Sequence, residues 1–173
     1  MRLHEIKREG RSTLKRKILL VVPEKCTGCR ICELVCSLTH EGVCNPAESR
    51  IGVVNWYREG ISLPMVCQHC EKPPCTEVCP ANALKRNWET GAILIDPGLC
   101  MGCKMCLVVC PFGGLSLEDG QEIPVKCDLC NGEARCASFC PTGAIQYVSA
   151  TKTNMGKRRA AADRASELLR RSA

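Results

Sequence analysis

The chain has 173 residues, room for one ordinary domain or two very small ones. Two Trp, two Tyr and two Phe leave it almost without the large side chains that fill most cores, while seventeen Cys form an odd number that no complete disulfide framework accommodates. The formal charge of +6 arises at the ends, because residues 1–17 carry seven Lys or Arg against two Glu and residues 151–173 seven against two acids, whereas residues 18–150 hold ten basic and fourteen acidic residues.

Residues 1–16 read as a basic N-terminal extension. The only apolar run nearby, Ile18 to Val22, is followed by no small-residue cleavage site, no twin-arginine pair stands near the start, and no segment reaches the length of a membrane span. A reducing, cytoplasmic setting is expected, and there dense cysteine means metal or redox work. Lys17 to Val22 is a strand candidate. The first cysteine group follows as C-x2-C-x2-C-x3-C (Cys26, Cys29, Cys32, Cys36), with Cys44 beyond it as a remainder. The second is C-x2-C-x4-C-x3-C (Cys67, Cys70, Cys75, Cys79), closed by Pro80. Strands are expected at Ala83 to Asn87 and Ala92 to Ile95, joined through "NWETG".

The third group repeats the first spacing (Cys100, Cys103, Cys106, Cys110) and ends at Pro111. Strand candidates at Leu115 to Leu117 and Ile123 to Lys126 flank "LEDGQE". The fourth group is C-x2-C-x5-C-x3-C (Cys127, Cys130, Cys136, Cys140), closed by Pro141 and followed by a strand candidate at Ala144 to Val148. Only the first group lacks the proline, with Ser37 in its place. These are four diverged copies of one unit. A short helical turn is expected after each x3-C-P. Residues 151–173 read as a basic amphipathic helix with Ala161, Ala165, Leu168 and Leu169 on one stripe.

A 4Fe-4S cube binds four thiolates. Three closely spaced cysteines loop around it and the fourth comes from elsewhere; in two-cluster ferredoxins each C-x2-C-x2-C-x3-C-P run lends its fourth cysteine to the other cluster. Four such halves predict four 4Fe-4S clusters. Gly28 and Gly102, in C-x-G-C, let the loop approach the cube and direct backbone N–H groups at sulfur. Zinc knuckles need no third cysteine at this spacing. Loaded with four oxidised clusters, the chain would carry about −2, so its basic balance does not indicate nucleic acid, nor do its few aromatics. His40 and His69 are assigned structural or surface roles, Cys44 is a small idle thiol, and Trp56 and Trp88 are expected to cover a cluster. No nucleophile triad, Walker loop or dinucleotide fingerprint occurs, so no catalytic residue is assigned. Spacing leaves the pairing of halves open, since 20 residues separate Cys79 from Cys100 and 16 separate Cys110 from Cys127.

The segments "CTGCRICELVCSLTHEGVCNPAESRI", "MVCQHCEKPPCTEVCPANAL", "IDPGLCMGCKMCLVVCPFGGL" and "VKCDLCNGEARCASFCPTGAI" resemble the four-cluster ferredoxin-like electron-transfer subunits of the dimethyl sulfoxide reductase iron-sulfur family. Within it the nearest are the small subunits that accompany tungsten aldehyde oxidoreductases, carbon monoxide dehydrogenase-linked hydrogenases and formate hydrogenlyase. The resemblance, over Lys17 to Val148, implies an α+β fold of two ferredoxin-like 2x(4Fe-4S) domains. One spans residues 17–60 and 115–150, the other is inserted in it at residues 61–114, and basic extensions at 1–16 and 151–173 flank them. It implies four ligand sets: Cys26, Cys29, Cys32 and Cys140; Cys127, Cys130, Cys136 and Cys36; Cys67, Cys70, Cys75 and Cys110; and Cys100, Cys103, Cys106 and Cys79. It also implies an electron-transfer subunit without a substrate site. Its partners would be a catalytic metalloenzyme subunit, a tungsten or molybdenum aldehyde-type oxidoreductase before a hydrogenase or carbon monoxide dehydrogenase, and a flavin-containing subunit or soluble ferredoxin. The tails, which match no motif, suggest self-association into a filament through the acidic body of a neighbouring copy. A metalloenzyme maturation factor is the remaining alternative.

Overall fold

The structure is a computed structural model and describes residues 17–118 and 120–149. In chain order the elements are β1 (Lys17–Val21), α1 (Ile31–Glu41), β2 (Gly52–Trp56), β3 (Ile61–Met65), α2 (Pro74–Glu77), β4 (Leu84–Arg86), β5 (Ile93–Ile95), α3 (Met105–Val109), β6 (Leu115–Ser116), β7 (Val125–Lys126), α4 (Arg135–Ser138) and β8 (Ile145–Ser149). It is a small α+β fold of short pieces. The extensions expected at residues 1–16 and 151–173, and the helix expected in the latter, lie outside the described residues.

The strands form four antiparallel pairs, β1 with β8, β2 with β3, β4 with β5 and β6 with β7. The first joins the two ends of the described chain, from Lys17 opposite Ser149 to Val21 opposite Ile145. A two-stranded pair is marginal alone, so each depends on what it covers. Two apolar clusters provide that cover. One joins Leu19, Ile51, Val66, Leu129, Ala134 and Ile145 to Cys32, Cys36 and Cys136. The other joins Leu84, Ile93 and Leu115 to Cys75 and Cys106. Ile93, Leu129 and Ile145 are the largest apolar side chains fully inside, each stabilising the fold by about 1.5–3 kcal/mol through burial. Cysteine thus takes core positions that aromatics occupy elsewhere.

The helices do not follow the x3-C-P prolines as expected. Each contains the third cysteine of its group, and the chain after Pro80, Pro111 and Pro141 makes a turn instead. The residue before a proline is biased away from helix, so helices of four or five residues stop at or just before the fourth cysteine. Where Ser37 replaces proline, α1 runs on through Cys36 for eleven residues to Gly42, whose φ of 75° ends it. Ser37 is fully buried, bonds Leu34 O through its hydroxyl at 3.1 Å and accepts from Asn45 N at 3.1 Å.

The β2–β3 hairpin was not foreseen. Pro64 inside its second strand argues against a strand by sequence. Here Pro64 stands opposite Val53, whose N–H donates to the Glu33 carboxylate at 2.7 Å. Glu33, only 2% exposed, also pairs with Arg30 Nε at 2.5 Å. The hairpin is therefore tied to α1 by a buried carboxylate that sequence reasoning passed over.

Candidate metal centres

In every group the residue immediately before the second cysteine has left-handed backbone geometry: Gly28 (φ 70°), His69 (φ 43°), Gly102 (φ 68°) and Leu129 (φ 61°). This turn folds each C-x-x-C back on itself so that both sulfurs face one space. A second left-handed residue, Arg30, Lys104 or Ala134, begins α1, α3 or α4 and turns the third cysteine toward the same space. Gly28 and Gly102 were legible as conformational requirements; His69 and Leu129 were not, because side-chained residues seldom adopt this region. Gly28 has a second reason to be glycine: a Cβ there would lie 2.6 Å from Ser62 Oγ and 2.9 Å from Asn55 Oδ1 on the covering hairpin.

Four small cavities result, with about 310–380 Å³ of space between atoms, part of it open to solvent. Cys26, Cys29, Cys32 and Cys140 line one, beneath Val53 and Pro64. Cys36, Cys127, Cys130 and Cys136 line the next, with Leu19, Ile51 and Val66. Cys67, Cys70, Cys75 and Cys110 line the third, with Ile93 and Lys126. Cys79, Cys100, Cys103 and Cys106 line the fourth, with Leu84 and Ile95. The groups are thus brought together first with fourth and second with third. Cys44 is exposed and lines none of these.

The donor chemistry fits iron-sulfur clusters. All seventeen cysteines are free thiols rather than disulfides. A single zinc ion, with sulfurs at about 2.3 Å in a tetrahedron, needs them about 3.8 Å apart. Among the described residues no three cysteine sulfurs lie within 4.8 Å of one another, the one close trio of ligand types being His40, Asp128 and Cys130. The spacing suits a polynuclear core. Backbone N–H groups reach the sulfurs: Ala83 N donates to Cys79 Sγ at 3.3 Å, Gly114 N to Cys110 Sγ at 3.3 Å and Leu129 N to Cys127 Sγ at 3.4 Å. Such bonds favour the thiolate and the reduced cluster.

Burial raises six of the thiols. It pushes Cys32 up to about 12, with the Glu33 charge adding to it, and Cys127 up to about 12. Cys75, Cys106, Cys130 and Cys136 are raised for the same first reason, and the Lys126 ammonium pulls against burial at Cys75. Cys140 moves the other way: burial raises it, but N–H groups of Ile145, Ala144 and Thr142 with the Thr142 hydroxyl outweigh burial. Metal loading therefore displaces protons and is favoured as pH rises.

Neither histidine is idle surface. His40 Nε2 lies 3.7 Å from Cys130 Sγ and 3.4 Å from Asp128 Oδ1, and burial together with Arg50 holds its imidazole below the ordinary value, so it is neutral at pH 7. Arg50 spans Glu41 and Asp128 at 3.5 and 3.4 Å. His69 is 4% exposed and accepts from Ile93 N at 3.0 Å. The tryptophans, by contrast, cover no cysteine cavity. Trp56 is 46% and Trp88 72% exposed, and Trp88 lines an outer cleft with Lys17 and Tyr147. Short aliphatic and proline residues on the hairpins do the covering, because they fit between strands this close to the cysteine loops.

Residues 59–150 match the 4Fe-4S dicluster domain family, and residues 23–44 match a 4Fe-4S binding domain family. The chain is 40% identical over 122 residues to the polyferredoxin-like subunit of aliphatic sulfonate oxidoreductase of Pyrococcus furiosus, covering 70% of each chain. It is 32% identical over 174 residues to hydrogenase-4 component A of Escherichia coli, covering 77% of this chain and 82% of that one. It is 34% identical over 131 residues to the beta subunit of NADH-dependent phenylglyoxylate dehydrogenase of Aromatoleum evansii, covering 73% of this chain and 29% of that longer protein.

Proposed function

This chain belongs to the 4Fe-4S dicluster family, and from that premise we propose that it is an electron-transfer subunit holding four 4Fe-4S clusters, with no substrate site of its own. When bound, such clusters take up and release single electrons. The observation that carries the reading is the gathering of sixteen cysteines four to a cavity. Cys26, Cys29, Cys32 and Cys140 hold the first cluster; Cys127, Cys130, Cys136 and Cys36 the second; Cys67, Cys70, Cys75 and Cys110 the third; Cys100, Cys103, Cys106 and Cys79 the fourth. The residues around them pack apolar side chains beside the sulfurs and donate N–H to them. Cys127 interacts electrostatically with Cys67, and Cys136 with Cys32, so neighbouring sets are close enough to sense each other's charge.

The proposed organisation is nested, with residues 61–114 inserted in a domain made from 17–60 and 115–150. Packing of α1 on α4, of α2 on α3, and the β1–β8 pair support it. We assign the chain to the dimethyl sulfoxide reductase iron-sulfur family, and its catalytic partner to a tungsten or molybdenum aldehyde-type oxidoreductase. The similarity to the polyferredoxin-like subunit of an aliphatic sulfonate oxidoreductase of Pyrococcus furiosus supports an oxidoreductase partner in general. A hydrogenase or carbon monoxide dehydrogenase complex is the second reading, favoured by the similarity to hydrogenase-4 component A. A flavin-containing subunit or soluble ferredoxin takes the other end of the row. Among the described residues no helix is long and apolar enough to cross a membrane; the proposed setting is the cytoplasm of an anaerobe, with self-association through the basic tails.

Anaerobic isolation of the tagged native protein, with metal analysis of whatever remains bound, tests the reading. Tungsten or molybdenum beside about sixteen irons per chain supports the first partner and nickel the second. A lone iron protein without a stable partner overturns the subunit reading, and a transient, substoichiometric partner points to a maturation factor. A native mass unchanged by salt and by removal of residues 151–173 removes the filament.

A further inference from the structure

Lys126 closes β7, directly before Cys127, and is 5% exposed. Its Nζ donates to Ile93 O on β5 at 2.5 Å and to Cys127 O at 3.3 Å. An ammonium has three donors, so one remains beyond these two carbonyls. No Asp or Glu forms an ion pair with Lys126 among the described residues. The side chain lines the cavity of Cys67, Cys70, Cys75 and Cys110, while its own chain neighbour Cys127 belongs to the adjoining cavity. A lysine serving only to tie β5 to β7 would be a poor device. Taking an ammonium out of water costs several kcal/mol, and two neutral carbonyls offset that incompletely; a buried charge is retained where an opposite charge meets it.

The opposite charge is supplied by chemistry already assigned to this cavity. Four thiolates around an oxidised 4Fe-4S core carry about −2, and one more negative charge after reduction. We propose that Lys126 is the internal counter-ion of the cluster held by Cys67, Cys70, Cys75 and Cys110. It thereby raises that cluster's reduction potential, because a fixed positive charge favours the more negative, reduced form. The third position in the row is then a place where an electron rests rather than merely passes. This inference depends on the ligand sets proposed above and goes beyond them in assigning a determinant of potential to one side chain.

The test is an electron paramagnetic resonance titration of the anaerobically isolated full chain against dithionite, with iron determined on each sample. Wild type, Lys126→Met, Lys126→Arg and Cys75→Ser are compared, the last to identify which reduction step belongs to this cavity. Lys126→Met is expected to keep its iron and to lower that one step at least tenfold in equilibrium constant, 59 mV for a one-electron couple, with smaller changes elsewhere. Lys126→Arg, which keeps the charge, is expected to titrate like wild type. If Lys126→Met loses iron while Lys126→Arg assembles with wild-type potentials, the counter-ion role also stands. Unchanged potentials in Lys126→Met, an equal shift of all steps, a shift in Lys126→Arg as large as in Lys126→Met, or iron loss in both variants overturns it. A Lys126→Met shift in a step other than the one Cys75→Ser identifies also overturns it, whereas a wild type lacking the full iron complement refutes the ligand sets instead.

Discussion

Gly114 touches the cluster machinery more closely than any motif suggests. A Cβ at this position would lie 2.9 Å from Cys67 Cα, 3.1 Å from Cys67 Cβ and 3.5 Å from Cys67 Sγ. Carbon atoms rest about 3.5–4.0 Å apart, so Gly114→Ala requires the two segments to separate by about 0.6 Å or more. Backbone rather than a flexible side-chain tip is on the receiving side, and overpacking of this kind costs about 1–3 kcal/mol. Gly114 N also bonds Cys110 Sγ at 3.3 Å, so the displacement reaches two proposed ligands of one cluster. Gly114→Ala is therefore expected to lose about four of about sixteen irons per chain, read by iron analysis and visible absorbance after anaerobic isolation. Gly113→Ala is the control. Its Cβ would meet nothing within 4 Å, and only its φ of 57° resists, at about 1 kcal/mol. Full iron is expected there, with a Tm about 2–4 °C lower. Full iron and an unchanged Tm in Gly114→Ala would refute the close approach.

Gly28→Ala combines a φ of 70° with contacts of 2.6 Å to Ser62 Oγ and 2.9 Å to Asn55 Oδ1, and is expected to cost about 2–4 kcal/mol; a thermal melt shows partial recovery when Ser62→Ala is added, since that removes the nearer atom. Ser37→Pro restores the proline common to the other groups, but inside α1 it should cost about 3 kcal/mol and shorten the helix, a loss that circular dichroism and the melt detect. Cys44→Ser leaves iron content and absorbance unchanged, because Cys44 is exposed and lines no cysteine cavity; iron loss there would revise the ligand count.

What the residues disclosed in advance was the chemistry, and what they withheld was mostly long-range. The four cysteine groups, the β4–β5 hairpin around Gly91 and the strands β1 and β8 follow from local spacing and turn chemistry. The pairing of groups did not, because contacts such as α1 with α4 join segments about a hundred residues apart, and spacing cannot rank them. The β2–β3 hairpin was hidden by Pro64, and the contact that ties it down, Val53 N–H donating to Glu33, joins residues twenty apart and leaves no local pattern. Leu129 and His69 hold left-handed geometry that glycine advertises and they do not. Lys126 carries no local sign of burial at all. The β5 carbonyl it bonds lies 33 residues away.

The most direct test of the account is native mass spectrometry of the anaerobically isolated chain, which counts bound clusters one at a time. Four 4Fe-4S increments on the wild type, and three on Gly114→Ala, are predicted. Two increments on the wild type, or single metal ions in place of clusters, would contradict the claim that the sixteen cysteines act as four sets of four.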